Sequence, residues 1–221
     1  MNITWGLPSG TRSEVLDYKI LSLLKKAGLN DIDYAPESGS EKILKIMKKQ
    51  ISIKNLLSSI KSAHKVGLKI KVNIILGYPE EDRTDILNTI YFAIKCAWVG
   101  ADDMLVTPLS IYPGSEIHTQ VKKEKNIIYD DNYFETLTDQ GSLNLSECYS
   151  NHYSKIELFL FKYFTFGVFY TSSFIFRPKK LFILLRDIIM MNGTTRLSMS
   201  LINFLRRARI KNYDESLKFK S

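Results

Sequence analysis

Cysteine is scarce in this chain. Only Cys96 and Cys148 occur among 221 residues, and they lie far apart. That excludes a disulfide framework and the paired knuckle of a zinc site. Cys96 sits in an apolar helical pattern and reads as a core thiol. Histidine is nearly as scarce. His64 falls within a helical stretch, where a surface or half-buried role is the simplest reading. His118 follows an apolar strand and is a weak pocket candidate, and His152 opens a helical stretch. The N-terminal stretch MNITWGLPSG has neither a basic segment nor a long apolar one, so it does not read as a signal peptide. A reducing cytoplasm is the expected compartment.

Charge of one sign is missing from most of the chain. The net charge is +8, but residues 1–120 hold 15 Lys+Arg against 13 Asp+Glu, and residues 121–160 hold 4 against 7. The excess belongs to residues 161–221, with 12 against 3. These basic residues are spaced by apolar ones and not gathered in a groove motif, so no nucleic-acid partner is expected. A solvated helical face is the plainer reading, with anionic lipid as the alternative. One run, LFLFKYFTFGVFYTSSFIF (Leu158 to Phe176), approaches the length of a bilayer span. Lys162 interrupts it and Tyr, Thr and Ser are scattered through it. It reads as a packed helix, with an interfacial helix and a span as alternatives.

What is present is periodic. Apolar strand-like runs occur at Ile3–Leu7, Ile32–Ala35, Ile70–Leu76 and Met104–Leu109. Helical patterns lie between them: Ser13–Ala27 stopped by Gly28, a short one at Ser40–Met47, Ile53–Val66 behind Ser52, and Thr84–Val99 stopped by Gly100. Strand and helix alternating in this way predict right-handed βαβ crossovers and a parallel sheet, either open or part of a barrel. Ligands in such folds bind beyond the carboxyl ends of the strands. At those four places stand PSGTR, PESGS, GYPEED and SIYPGSE, each combining Pro or Gly with polar residues. Four such loops on one end of a sheet favour a shared pocket. Glu37 is the conspicuous residue there. An acid beyond a buried strand faces either a polar ligand or the dipole of the next helix. Ser38 and Glu41 have the spacing of a capping box.

The organisation changes after residue 120. The expected division is a βα domain over 1–120, a polar, loop-rich connector over 121–150 with one apolar run at Ile127–Tyr129, and a basic helical extension over 151–221. RPKK (Arg177–Lys180) should break the extension before Leu181–Met191, with a further helix at Leu197–Ala208.

With the loops placed, the sequence resembles the radical S-adenosylmethionine (SAM) enzymes. More narrowly, it is similar to the cobalamin-binding-domain class related to the anaerobic magnesium-protoporphyrin cyclase. The resemblance is carried by PSGTRSEVLDYKILSLLKKAGLNDIDYAPESGSEKILKIMKK, GLKIKVNIILGYPEEDRTDILNTIYFA and PLSIYPGSEI, and loosely by FGVFYTSSFIFRPKKL. It implies the last four strands of a partial (βα)6 barrel, followed by an all-helical C-terminal extension. It also implies SAM as cofactor, with a [4Fe–4S] cluster and cobalamin in the intact enzyme. On this reading Glu37 reaches the SAM ribose or amino group, and Arg12 pairs with the methionine carboxylate or another pocket acid. Asn73 and Gly77 pass near the adenine, while Pro113 and Gly114 shape the last loop. Two departures stand out. Glu80 occupies a position where the family commonly has Gly. The C-x3-C-x2-C thiolates that hold the cluster are absent. The expectation is therefore a cluster-less fragment of a radical SAM enzyme, inactive alone. The alternatives are a split-enzyme subunit needing a cysteine-bearing partner, or a non-catalytic helical module that contacts membranes or partners through residues 155–210.

Overall fold

The computed structural model describes residues 3–8, 16–124, 129–138, 145, 147–195 and 197–206. Four strands, β1 (Trp5–Leu7), β2 (Leu29–Glu37), β3 (Lys69–Leu76) and β4 (Asp103–Pro108), form one parallel sheet in sequential order. Between them run α1 (Tyr18–Lys26), α2 (Glu41–Ile46), α3 (Ile53–Lys65) and α4 (Arg83–Val99). This is the expected α/β arrangement, consistent with part of a barrel. After β4 come α5 (Glu116–Glu124), α6 (Asp131–Thr138), α7 (Lys155–Phe176) and α8 (Lys179–Ile189), and residues 197–206 are helical.

The chain divides into two compact units, Met1–Ser172 and Ser173–Ser221. Most of α7 belongs to the first. The described part of the stretch expected to be loop-rich contains the end of α5 and all of α6, so the connector is more helical than its polar composition indicated. Of the apolar run at 127–129, only Tyr129 lies within the described residues. The RPKK break is narrower than expected, because Lys179 and Lys180 already belong to α8.

Local chemistry fixes the helix ends. Asp17 accepts from Ile20 N and caps α1, so that helix starts at Tyr18 and the expected start at Ser13 is too early. Ser52 caps α3 as expected. Asp82 and Asp85 form a reciprocal capping box on α4, and Gly100 closes that helix at φ 117°. The box expected from Ser38 and Glu41 does not form. Ser40 is the cap of α2, accepting from Ile43 N, and the Ser38 hydroxyl turns instead to Thr89 of α4 and to Ser40 N.

The two faces of the sheet differ in chemistry. One carries Ile32, Tyr34, Val72, Ile74, Met104 and Val106, each at most 3% exposed. The Tyr34 hydroxyl meets Ser59 of α3 at 2.9 Å, which places the helical layer on that side. The other face carries Asp33, Lys71, Asn73 and Asp103, aligned by the register Asp33↔Lys71↔Asp103. Parallel sheets usually bury apolar residues on both faces. In a barrel this would be the inner face.

Helix α7 runs beside this second face. At one end its Leu158 lies against Gly77, just past β3. At the other, Tyr170 donates to the carboxylate of Asp103 at the start of β4. Twelve helical residues span about 18 Å. The six residues from Lys71, level with Asp103, to Gly77 span about 20 Å of strand. The helix therefore lies antiparallel to β3 and β4 along their full length. Leu158, Lys162, Thr165 and Phe169 are the buried stripe of α7. By length and composition α7 could cross a membrane, but a buried stripe holding Lys162 and Thr165 matches the packed-helix reading.

Candidate functional site

The parallel order puts the carboxyl ends of all four strands on one edge. Glu37 ends β2, Gly77 follows β3, and residues 109–115 follow β4. Arg12, in the loop after β1, lies outside the described residues. Cross-links gather the others at one rim. Lys49 binds Glu37 Oε1 at 2.7 Å, and its neighbour Lys48 binds Glu116 at 2.6 Å. Gln120 Nε2 donates to Glu80 Oε1 at 2.6 Å. Lys42 donates to the Glu80 carbonyl and to Asp82 and Asp85. Asp82 is held down to about 2, first by its hydrogen bond from Lys42. Exposed pairs of this kind add little stability. Their effect is to set the loops in register.

Glu37 has an unusual backbone. Its φ is 73°, a left-handed value that costs a non-glycine residue about 1 kcal/mol or more. A bulge causes it: Tyr34 pairs with Val72 but Glu37 pairs with Ile74, so β2 carries one extra residue. The bulge swings Glu37 off the strand alternation. The side chain is half-buried against Lys49. Among the described residues, Lys49 is the side chain that holds its Oε1.

The next residues anchor the bulge. Gly39 N and the Ser38 hydroxyl both reach Thr89 Oγ1, and Ser40 Oγ donates to Asp85 at 2.6 Å. A Cβ on Gly39 would stand 2.5 Å from Phe92 Cβ and 2.6 Å from Thr89 Cα, so only glycine lets this turn touch α4. Ser38-Gly39-Ser40 is thus a clamp on α4 as well as a helix start, which Thr89 and Asp85 gave no sign of in the sequence.

On the inner face, Asn73 Oδ1 is buried with no hydrogen-bond partner. Native proteins rarely leave such an acceptor bare, so this atom points to a donor supplied by a bound molecule. Gly77 has φ 99°, and its N–H donates to Glu81 Oε2 at 2.7 Å. Pro113 and Gly114 form an exposed turn whose Ser115 hydroxyl accepts from His118 N at the start of α5. Among the described residues, the Glu116–Lys48 pair ties this turn to the rim. Of the histidines, His118 is engaged by the Tyr129 hydroxyl at 2.6 Å, and His64 and His152 are exposed.

The acid that organises the third loop is Glu81, which the sequence reading passed over in favour of Glu80. Glu81 is fully buried. Its Oε2 accepts from Gly77 N and from the Tyr153 hydroxyl at 2.5 Å, while Oε1 has no partner. Burial pushes its pKa up to about 7, against those two hydrogen bonds. Ser150 Oγ donates to the Glu81 carbonyl, Asn151 N to the Pro79 carbonyl, and Arg83 binds Glu157. The segment before α7 is therefore strapped onto the GYPEED loop. The doubled acid before a helix cap was its one visible trace in the sequence.

The residues present do not fit an iron–sulfur cluster. Cys96 is wholly buried in α4 and its thiol is pushed far up by burial, whereas Cys148 hydrogen-bonds the Tyr153 carbonyl. Among the described residues no group of three or more His, Cys, Asp or Glu could hold a metal ion.

Comparison with known proteins agrees with this geometry. Residues 7–93 match the Radical SAM superfamily. The chain is 34% identical over 121 residues to a protein of Methanocaldococcus jannaschii provisionally named a methylthiotransferase, covering 53% of this chain and 26% of that one. It is 27% identical over 193 residues to an uncharacterized methyltransferase of Pyrococcus horikoshii, covering 87% and 38%. It is 22% identical over 152 residues to cytidylyl-2-hydroxyethylphosphonate methyltransferase of Streptomyces wedmorensis, covering 66% and 28%. The chain thus spans well under half the length of each of these relatives. Over residues 7–93, from the end of β1 into α4, the chain is similar to the Radical SAM superfamily.

Proposed function

We propose that this chain is the SAM-binding half of a radical SAM barrel, working with cluster thiolates that other sequence supplies. The observation that carries the proposal is the charged inner face of the sheet with its unpartnered Asn73 Oδ1, beneath a rim holding Glu37. Asn73 would accept a hydrogen bond from the adenine side of SAM. Glu37 Oε2 would accept from a ribose hydroxyl, with Lys49 holding the carboxylate in place. Gly77, fixed by Glu81, sets the loop between them, and Arg12, Pro113 and Gly114 complete the rim. With a cluster held by other sequence, SAM bound here would supply radical chemistry. This chain positions the cofactor and excludes water, with Leu158 and α7 closing the space beside Gly77.

The relatives named for methyl and methylthio transfer support a parent that acts in group transfer. A cobalamin-binding parent of the cyclase-related class is the narrower form of the same reading. A split enzyme is favoured by β1, three half-buried residues that pair only with β2 among the described residues, because such an edge accepts another strand.

Anaerobic reconstitution of the purified chain with iron and sulfide should give no stoichiometric [4Fe–4S] chromophore. Co-expression with a cysteine-bearing barrel half should give one, together with SAM cleavage. A stoichiometric chromophore on this chain alone would overturn the proposal. In the assembled pair, Asn73→Ala or Glu37→Ala should each weaken SAM binding about tenfold, the loss of one good hydrogen bond.

A further inference from the structure

In the unit Ser173–Ser221, helix α8 is inside out. Its buried polar residue is Asp187, 2% exposed, which accepts from Thr194 N at 3.1 Å, from the Thr194 hydroxyl and, at its edge, from the exposed Arg186 Nη2 at 3.2 Å. Its outward residues are apolar: Phe182 is 71% exposed, Leu185 49% and Ile189 79%. These three are spaced i, i+3 and i+7, so they form one stripe. Lys179 and Arg186 are exposed beside them. Scattered exposed apolar residues are ordinary, but a contiguous stripe beside a buried carboxylate is not.

Charge selects the occupant. Residues 173–221 hold 11 Lys+Arg against 3 Asp+Glu. A second copy would bring the same positive field to the same face, and like-charge juxtaposition opposes that pairing. A nucleic acid would leave the Phe182–Ile189 stripe in water. An anionic lipid surface satisfies both features, because it takes the apolar stripe into its acyl boundary and pairs its headgroups with the basic residues. Eleven residues of helix reach about 16 Å, roughly half the hydrocarbon thickness of a bilayer, so α8 is long enough to lie in the interface and too short to span it.

We infer that α8 is an interfacial helix that docks the protein on anionic membranes through Phe182, Leu185 and Ile189, with Lys179 and Arg186 at the headgroups. This rests on the α8 surface alone and stands whether or not the SAM reading holds. The experiment is sedimentation of the full 221-residue chain with vesicles of phosphatidylcholine, with and without phosphatidylglycerol. The chain should pellet with the anionic vesicles and stay in solution with the neutral ones. The double variant Phe182→Ser/Ile189→Ser should lose at least about tenfold in partitioning, as expected for removing two large apolar anchors. Lys179→Gln/Arg186→Gln should bind less and lose most of its dependence on salt. Both variants replace exposed residues, and circular dichroism checks that they fold. Equal binding to neutral and anionic vesicles would overturn the inference. So would a serine variant that pellets like the parent, or one that instead abolishes self-association seen by sedimentation velocity.

Discussion

In the βα layer, Phe92 of α4 is 2% exposed, and a capping box of two aspartates holds the helix start. In the C-terminal unit, Phe182 of α8 is 71% exposed, and the helix begins at Pro178 with no side-chain cap. Both helices are apolar in composition, but α4 buries Ile86, Phe92, Ala93, Cys96 and Ala97 while leaving Leu87, Tyr91 and Trp98 exposed, whereas the buried residue of α8 is Asp187. The lesson is that hydrophobic content does not locate a core. What locates it is a second element with a matching face: α4 has α3 and the Ser38–Ser40 clamp. Among the described residues, the outward stripe of α8 is exposed, with Phe182 71% and Ile189 79% open to solvent.

The sharpest way to break the contrast is the same truncation in both places. Phe92→Ala should cost about 3–5 kcal/mol, because it empties a fully enclosed site against Gly39, whose backbone depends on that contact. Urea unfolding measures it. A cost below about 1 kcal/mol would mean that α4 is not seated on the clamp as described.

The next effect concerns Glu81, whose folded pKa of about 7 lies above its ordinary value of 4.5. The native state therefore holds a proton that the unfolded state has released. Stability should be highest below about pH 4.5 as far as this group is concerned, and should fall by about 3 kcal/mol as the pH rises to about 7. Glu81→Gln keeps an acceptor for Gly77 N and cannot ionise. Its stability relative to the parent should rise between pH 5 and pH 8. A pH-independent difference would show that Glu81 is ionised in the fold.

How much of this was legible in the sequence depends on how local the cause is. Gly28, Gly100 and Ser52 act within a few residues, and their roles could be read directly. The βα order and the four strand-end loops followed from periodicity and from turn residues. The Glu37 bulge could not be read, because it arises from the mismatch of Tyr34↔Val72 and Glu37↔Ile74 across two strands. The Glu37–Lys49 pair, the Thr89 and Asp85 contacts and the Tyr153–Glu81 bond join residues 12 to 72 positions apart, and no pattern in either segment announces the other. Within the stretch 121–150, the end of α5 and all of α6 were hidden for a different reason. These helices are short and polar, so they lack the apolar stripe by which a helix is recognised.

A smaller effect separates the two helix starts. Asp82→Ala removes the acceptor for Thr84 N and Asp85 N, and also a partner of Lys42. It should cost about 1 kcal/mol, typical of a lost N-cap. Replacing Pro178 should cost nothing of that kind, because it makes no side-chain cap on α8. Hydrogen exchange in the first turn of each helix would show the difference directly, with α4 losing protection and α8 unchanged.

The smallest expected change in stability tests the contrast best. Phe182→Ala should shift unfolding by no more than about 0.5 kcal/mol, the usual range for a surface site. A side chain 71% exposed has little contact area to lose. The same residue dominates the proposed lipid contact, so its partitioning onto anionic vesicles should fall while its unfolding curve stays in place. Phe92→Ala should do the reverse, lowering stability and leaving vesicle binding of the folded fraction intact. If the two readouts move together for both variants, α8 is part of the structural core and the distinction between the two helices fails.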